Sequence, residues 1–388
     1  GKVDRKSLPA LDELQFATDK KFTAPRDEIE TGLAKIWEEV LDVKPIGIDD
    51  HFFELGGHSL MAIRLIARIE KVFGKKIPVT TIFQSPSVAQ LAEVLRGGKA
   101  VVSSSSIVEI QPKGTKTPLF LVHGVGGGMF WGYQNLSKHL GSDQPVYAFN
   151  SRGLDGREEF SNVKEMAANY IADLKKFRSR GPYFLGGYCF GGCVALEMAR
   201  QLAEQGEEVP FVALINSIPP NAGYGKFDFR PKSFATFIKN LGYWTNYVLS
   251  QPPKAQRNFI SWKFRAISKK FTRFFSRRKS VYDFDVHEVV DLSAQPKEVH
   301  DLWKTHIRIL FEHKPELFPG RVTLFRTPGY SMICSFDEAY CWRKFAREVE
   351  VKMIPGAHES ILAEPNVKLV AGHIARAVDE IQKEENRQ

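Results

Sequence analysis

The sequence predicts a doubly wound α/β domain that carries an inserted helical lid and is preceded by a small helical bundle. Three observations carry this. Apolar runs at 119–122, 146–149, 183–185, 212–215 and 322–325 have the length of buried parallel strands, and helical patterns such as 163–177 and 192–205 alternate with them. Ahead of these runs only the helical period appears. Within them, the interval 222–315 breaks the alternation with helical stretches and no strand pattern, as an inserted cap or lid would.

A chain of 388 residues exceeds what one core usually serves, so two domains of unequal size are expected. In the bundle, Ile29, Leu33, Ile36, Trp37, Val40 and Leu41 share one face of a first helix that follows Pro25. A second helix from about Ser59 carries Leu60, Ile63, Leu65, Ile66 and Ile69, and a short third from Ser87 carries Val88, Leu91, Val94 and Leu95, so three helices are expected. Four consecutive serines, Ser103 to Ser106, with glycines and prolines on either side, have the composition of a flexible connection. The boundaries that follow are a leader over residues 1–21, the bundle over 22–96, a linker over 97–106 and the α/β domain over 107–384, with its lid at about 222–315.

Composition excludes several classes. Hydrophobic residues at 43% and charged residues at 26% are those of a globular protein. No apolar run approaches the ~20 residues of a membrane helix, and the first nine residues hold no signal-peptide core, so a cytoplasmic protein without membrane contact is expected. Cys189, Cys193, Cys334 and Cys341 have neither metal-ligand spacing nor the density of a disulfide scaffold, which points to reduced thiols and no metal site. The net charge of +9 is local: thirteen Lys or Arg and no acidic residue lie between Phe229 and Tyr282, leaving the rest at −4. There Ile260, Phe264, Ile267, Phe271 and Phe274 form one apolar face among cations, a pattern read as a lid helix rather than a nucleic-acid surface.

Two strings carry chemistry. In Asp49-Asp50-His51-Phe52-Phe53-Glu54-Leu55-Gly56-Gly57-His58-Ser59-Leu60 the glycines permit a tight turn, and Ser59 falls at a helix start, where outward amides tolerate a phosphodiester. A helix cap is the commoner role for a serine after a turn, and the full string in a helical bundle weighs against it here. The string closely resembles the attachment motif of acyl and peptidyl carrier domains. That resemblance, covering about residues 23–96, implies a 4′-phosphopantetheine arm on Ser59, added by a phosphopantetheinyl transferase and bearing an acyl or peptidyl substrate. The opening Gly1-Lys2-Val3-Asp4-Arg5-Lys6 resembles the last motif of adenylation domains, which implies such a domain upstream.

In Tyr183-Phe184-Leu185-Gly186-Gly187-Tyr188-Cys189-Phe190-Gly191-Gly192, a strand runs through a glycine-flanked residue into a helix, the context of a nucleophile elbow. Upstream, the glycine loop at 124–128 can offer backbone amides to an oxyanion, and downstream His358 follows a late strand. Together these resemble the type I thioesterase domains that end nonribosomal peptide synthetases and polyketide synthases, members of the α/β-hydrolase fold, over about residues 107–381. The resemblance implies Cys189 as nucleophile, His358 as base, and the amides of Val125 and Phe190 as the oxyanion hole.

Two positions depart from the family. Cys189 stands where serine is usual, and a thiolate, the stronger nucleophile, could pair with a protonated His358. Asn216 stands where relatives often carry aspartate; an asparagine can orient a histidine without stabilising its cation. Asp337, after the following strand, is the alternative acid. The resulting expectation is transfer of a carrier-bound thioester to Cys189 and release by hydrolysis or cyclisation. A carrier scaffold with an inactive hydrolase, or a free-standing esterase, are the other readings.

Overall fold

The computed structural model describes residues 22–220 apart from 53, 54, 58, 76, 78–80, 98–104, 128, 129 and 156, the isolated positions 238, 241, 245, 249 and 256, and residues 297–328 and 338–385. The leader, the amphipathic basic helix and Asp337 lie outside the described residues.

The bundle contains α1 (Glu28–Leu41), α2 (Ser59–Phe73), α3 (Thr81–Gln84) and α4 (Val88–Leu95). Sequence periodicity gave three of these; α3, a single turn, is too short to show a period. Asp27 caps α1 through the Glu30 amide at 2.8 Å, and Ser87 and Gln90 form a reciprocal capping box on α4. Trp37 and Phe52 meet edge to face at 5.2 Å in a core that also buries Leu33, Leu65, Ile69 and Leu91. Arg96 fastens the end of α4 to the buried Glu30 at the start of α1, at 3.0 Å.

The second domain is built on seven strands: β1 (Ile107–Gln111), β2 (Leu119–Val122), β3 (Val146–Phe149), β4 (Phe184–Tyr188), β5 (Phe211–Ile215), β6 (Phe318–Arg326) and β7 (Ala346–Met353). Their order is β1-β3-β2-β4-β5-β6-β7, parallel except for β1, which runs antiparallel to β3. Residues of β2 to β5 are buried throughout, because helices cover both faces. Helices α6 (Val163–Phe177) and α7 (Phe190–Glu204) enclose one apolar cluster, with Tyr170, Met198 and Leu202. On the opposite face α5 (Phe130–Leu140) and α9 (Asn366–Glu385) enclose another, with Tyr133, Leu136, Val370 and Ile374. Between β5 and β6 lies α8 (Lys297–Glu312), the described helix of the expected lid interval. No helix among the described residues is long and apolar enough to cross a membrane.

The five expected strands are all present, some extended by a few residues, and α7 begins at Phe190, two residues ahead of the expected start. The edge strand β1 was not anticipated: only its first two residues are buried, so it offers no apolar run.

Candidate active site

The parallel strands bring their carboxyl ends together, and the chemistry-bearing residues follow those ends, as in other open α/β sheets. Cys189 sits between β4 and α7 with φ 54° and ψ −115°, a conformation that costs a non-glycine residue about 1–3 kcal/mol. Its amide donates to the Ile215 carbonyl at 2.9 Å, which ties the turn to β5. The flanking glycines are required by contact. A Cβ on Gly187 would lie 2.2 Å from the Gly191 carbonyl carbon, and one on Gly191 would lie 2.3 Å from the Val122 oxygen. This sharp turn holds Cys189 partly exposed at the head of α7, where the Phe190 amide, first in the helix, has no intrahelical acceptor.

Cys193, one turn further on, is a contrast. Burial pushes its thiol up to about 12, and its sulfur lies 3.3 Å from the Ile218 carbonyl, as a packing residue's would.

His358 follows β7 in a short 3₁₀ turn and is brought to Tyr188, the residue before Cys189. The two rings stack with centroids 4.7 Å apart, and the Tyr188 hydroxyl donates to the His358 carbonyl at 3.0 Å. The residue is half-buried, yet enough protein surrounds the ring that desolvation lowers its pKa to about 3. Burial therefore favours a neutral imidazole, where the sequence suggested a standing imidazolium and thiolate.

The side-chain hydrogen bonds of Asn216 run to Thr327 and not to His358. The residue lies fully buried past the end of β5, at φ 47°, and its amide nitrogen donates to the Thr327 hydroxyl at 3.0 Å. Its oxygen accepts from the Thr327 amide at 3.3 Å. Asn216 thus clamps the segment after β5 to that after β6. A left-handed φ also suits asparagine better than most residues.

The glycine loop after β2 forms a 3₁₀ turn, Val125–Gly127, with Gly126 at φ 74°. The Gly126 amide donates to His306 Nδ1 of α8 at 2.9 Å. Beneath the loop the fully buried His123 has Nδ1 2.8 Å from the Gly124 carbonyl and Nε2 2.8 Å from the Tyr170 hydroxyl. Burial first, then the neighbouring His306, lowers its pKa to about 4. Packing, not base chemistry, is what this environment fits.

In the bundle, Ser59 is the first residue of α2. Gly56 at φ 91° turns the chain ahead of it, and Gly57 lies so close to the Phe52 ring that a Cβ would come within 2.5 Å. A helix start led by a compact glycine turn fits attachment of a phosphodiester.

Sequence reasoning did not single out Tyr188, Thr327, His306 or Glu159 as parts of this end of the sheet. Tyr188 lay inside the elbow string and could have been weighed as a histidine platform. The others meet the site only through tertiary contacts, such as His306 with Gly126 across 180 positions.

The depressed histidines have a measurable consequence. Unfolded, each takes up a proton near 6.5; folded, His123 does so only near 4 and His358 near 3. Their burial therefore contributes stability in full above 6.5 and loses it as pH falls toward those folded values. The denaturation midpoint of the thioesterase part should fall between about pH 7.5 and about pH 5, before carboxylates titrate. An unchanged midpoint would contradict the histidine environments described.

Comparison with known proteins identifies both domains. The family described as the phosphopantetheine attachment site matches residues 31–95, and the thioesterase domain family matches residues 117–233. Chondramide synthase of Chondromyces crocatus is 30% identical over 399 residues, covering 98% of this chain and 10% of that protein. Malpinin synthetase of Mortierella alpina is 42% identical over 220 residues, covering 56% of this chain and 3% of that protein. A solved four-domain nonribosomal peptide synthetase, bound to AMP and glycine, is 29% identical and superimposes with a TM-score of 0.52, over 97% of this chain and 28% of that one. The chain spans a tenth or less of the first curated relatives it matches. It is a phosphopantetheine carrier domain followed by a thioesterase domain, a didomain related to the nonribosomal peptide synthetases.

Proposed function

We propose that this didomain releases an acyl or peptidyl group from its own carrier through a covalent intermediate on Cys189. The observation that carries this reading is the elbow itself, with Cys189 strained at a helix start beside the Tyr188–His358 stack. Phosphopantetheine on Ser59 would supply the thioester to be opened. Neutral His358 takes the Cys189 proton as the sulfur attacks the carbonyl, and the amides of Phe190 and Val125 receive the oxyanion. The imidazolium returns its proton to the departing thiol. His358 then draws a proton from water, or from a nucleophile within the acyl group, and hydrolysis or cyclisation frees Cys189. Because the intermediate is itself a thioester, it keeps the activation of the incoming group.

In this reading Tyr188 positions His358 by ring stacking, and Asn216 holds the strand ends beneath. Asp337, the alternative acid, lies outside the described residues. The partners are a phosphopantetheinyl transferase and an adenylation domain upstream.

The carrier half is tested by incubation with a phosphopantetheinyl transferase and coenzyme A. One phosphopantetheine should be added to the native chain and none to Ser59→Ala, as read by intact mass. Modification that persists in the variant would assign the arm to another residue.

A further inference from the structure

His306 lies fully buried on α8 at the junction of three functional segments. Its Nδ1 accepts the Gly126 amide hydrogen at 2.9 Å, and its Nε2 lies 3.2 Å from Glu159 Oε2. A backbone amide can only donate, so Nδ1 must be unprotonated and the ring proton must sit on Nε2, toward the carboxylate. Burial alone would raise the Glu159 pKa, but the hydrogen bonds from His306 and Ser151 lower it below the ordinary carboxylate range, so the carboxylate is ionised and fixes that tautomer. Backbone amides of Gly153 and Phe160 donate to Glu159 at 3.2 and 3.0 Å, so the carboxylate is itself held.

The ring also belongs to a cluster of three, with Phe190 and His123, whose centroids lie 5.9 Å from each other. It stacks on Phe190, the residue after Cys189, at 4.8 Å with planes 8° apart, and on His123 at 5.1 Å. One turn earlier, Trp303 covers Gly126 so closely that a Cβ there would fall 2.1 Å from its indole nitrogen. One imidazole therefore touches both halves of the oxyanion hole, the loop after β2 by a hydrogen bond and the head of α7 by stacking.

We propose that His306 is the positioning residue of the oxyanion loop: held as its Nε2–H tautomer by Glu159, it fixes the Gly126 amide and so sets the turn from which Val125 faces the reacting carbonyl. This role rests on the reading of Cys189 and Val125 given above. It makes no contact with the substrate and moves no proton in the reaction.

The test separates a step that builds an oxyanion from one that does not. Acylation of Cys189 by an acyl thioester passes through a tetrahedral oxyanion, whereas alkylation of the same sulfur by iodoacetamide is a direct displacement. His306→Phe keeps a planar aromatic ring for the stacking, at somewhat greater volume, but removes the acceptor. It should slow acylation about tenfold to a hundredfold, against the about 10²–10³ lost when an oxyanion donor itself is removed, while alkylation stays within about twofold of the native rate. His306→Asn places an amide oxygen where Nδ1 stood and should recover much of the lost acylation. Should the phenylalanine variant fail to fold, Glu159→Gln carries the same test, because it weakens the anchor with the stack intact; a loss confined to acylation is again expected. Acylation that is unchanged, or that falls in step with alkylation, would overturn the proposal. Failure of the underlying reading shows separately, as native protein that forms no acyl-Cys189.

Discussion

Cys189→Ala should leave an acyl group stranded on the carrier, with release slowed about a thousandfold or more, the scale on which loss of a covalent nucleophile is felt. The measurement is intact mass over time: the loaded carrier persists, and no adduct forms on the thioesterase domain. Cys189→Gly should be equally inactive yet more stable than the alanine variant by about 1–2 kcal/mol, because only glycine adopts that elbow conformation without strain. The pair therefore separates chemistry from geometry. Both have lost the sulfur, and they differ only in whether a Cβ must be held at φ 54° and ψ −115°. Equal stabilities would mean that the turn relaxes when the sulfur is removed. Release at the native rate from either variant would remove Cys189 from the mechanism.

Gly191→Ala should cost about 3 kcal/mol or more, at the upper end of the range for overpacking. The added carbon would fall 2.3 Å from the Val122 oxygen and 2.5 Å from the His123 oxygen, and both are backbone atoms that no rotamer change can move aside. Relief would have to come from shifting the end of β2, and with it the loop that carries Val125. Acylation should therefore fall further than the lost stability alone explains. Gly372→Ala supplies the control: it lies in α9 with nothing within 4 Å of its Cβ position, and alanine there should raise the denaturation midpoint slightly. Variants of equal stability would place the tight packing of the elbow in doubt.

How much of this was readable from sequence depends on the range over which each signal acts. The elbow was legible because Gly187, Cys189 and Gly191 are neighbours in the chain, and the physical demand that selects them is local. Strands β2 to β5 were legible because burial on both faces makes them uniformly apolar. Strand β7 shows how that signal weakens: its residues after Ala346 are only partly buried or exposed, and sequence marked it no more closely than as a late strand ahead of His358. The surroundings of Asn216 were illegible for a different reason. Position after β5 places a residue near the site, but what its side chain reaches is decided by Thr327, 111 residues away. The depressed pKa of His358 was equally out of reach, since it comes from burial in the folded chain, where the ring meets Tyr188 from 170 positions away.

The span of the site has a consequence in time. The Tyr188 hydroxyl meets the His358 carbonyl across 170 positions, so the proposed nucleophile and its proposed base are far apart in the order of synthesis. The bundle, by contrast, closes its core within residues 33–95. On a ribosome that delivers the chain from its amino end, the carrier can fold and receive its arm while the hydrolase is still missing β7 and His358. Loading thus becomes possible before unloading does. If Cys189 and His358 act as proposed, the nascent chain passes through an interval in which it can accept cargo and has no means of letting it go.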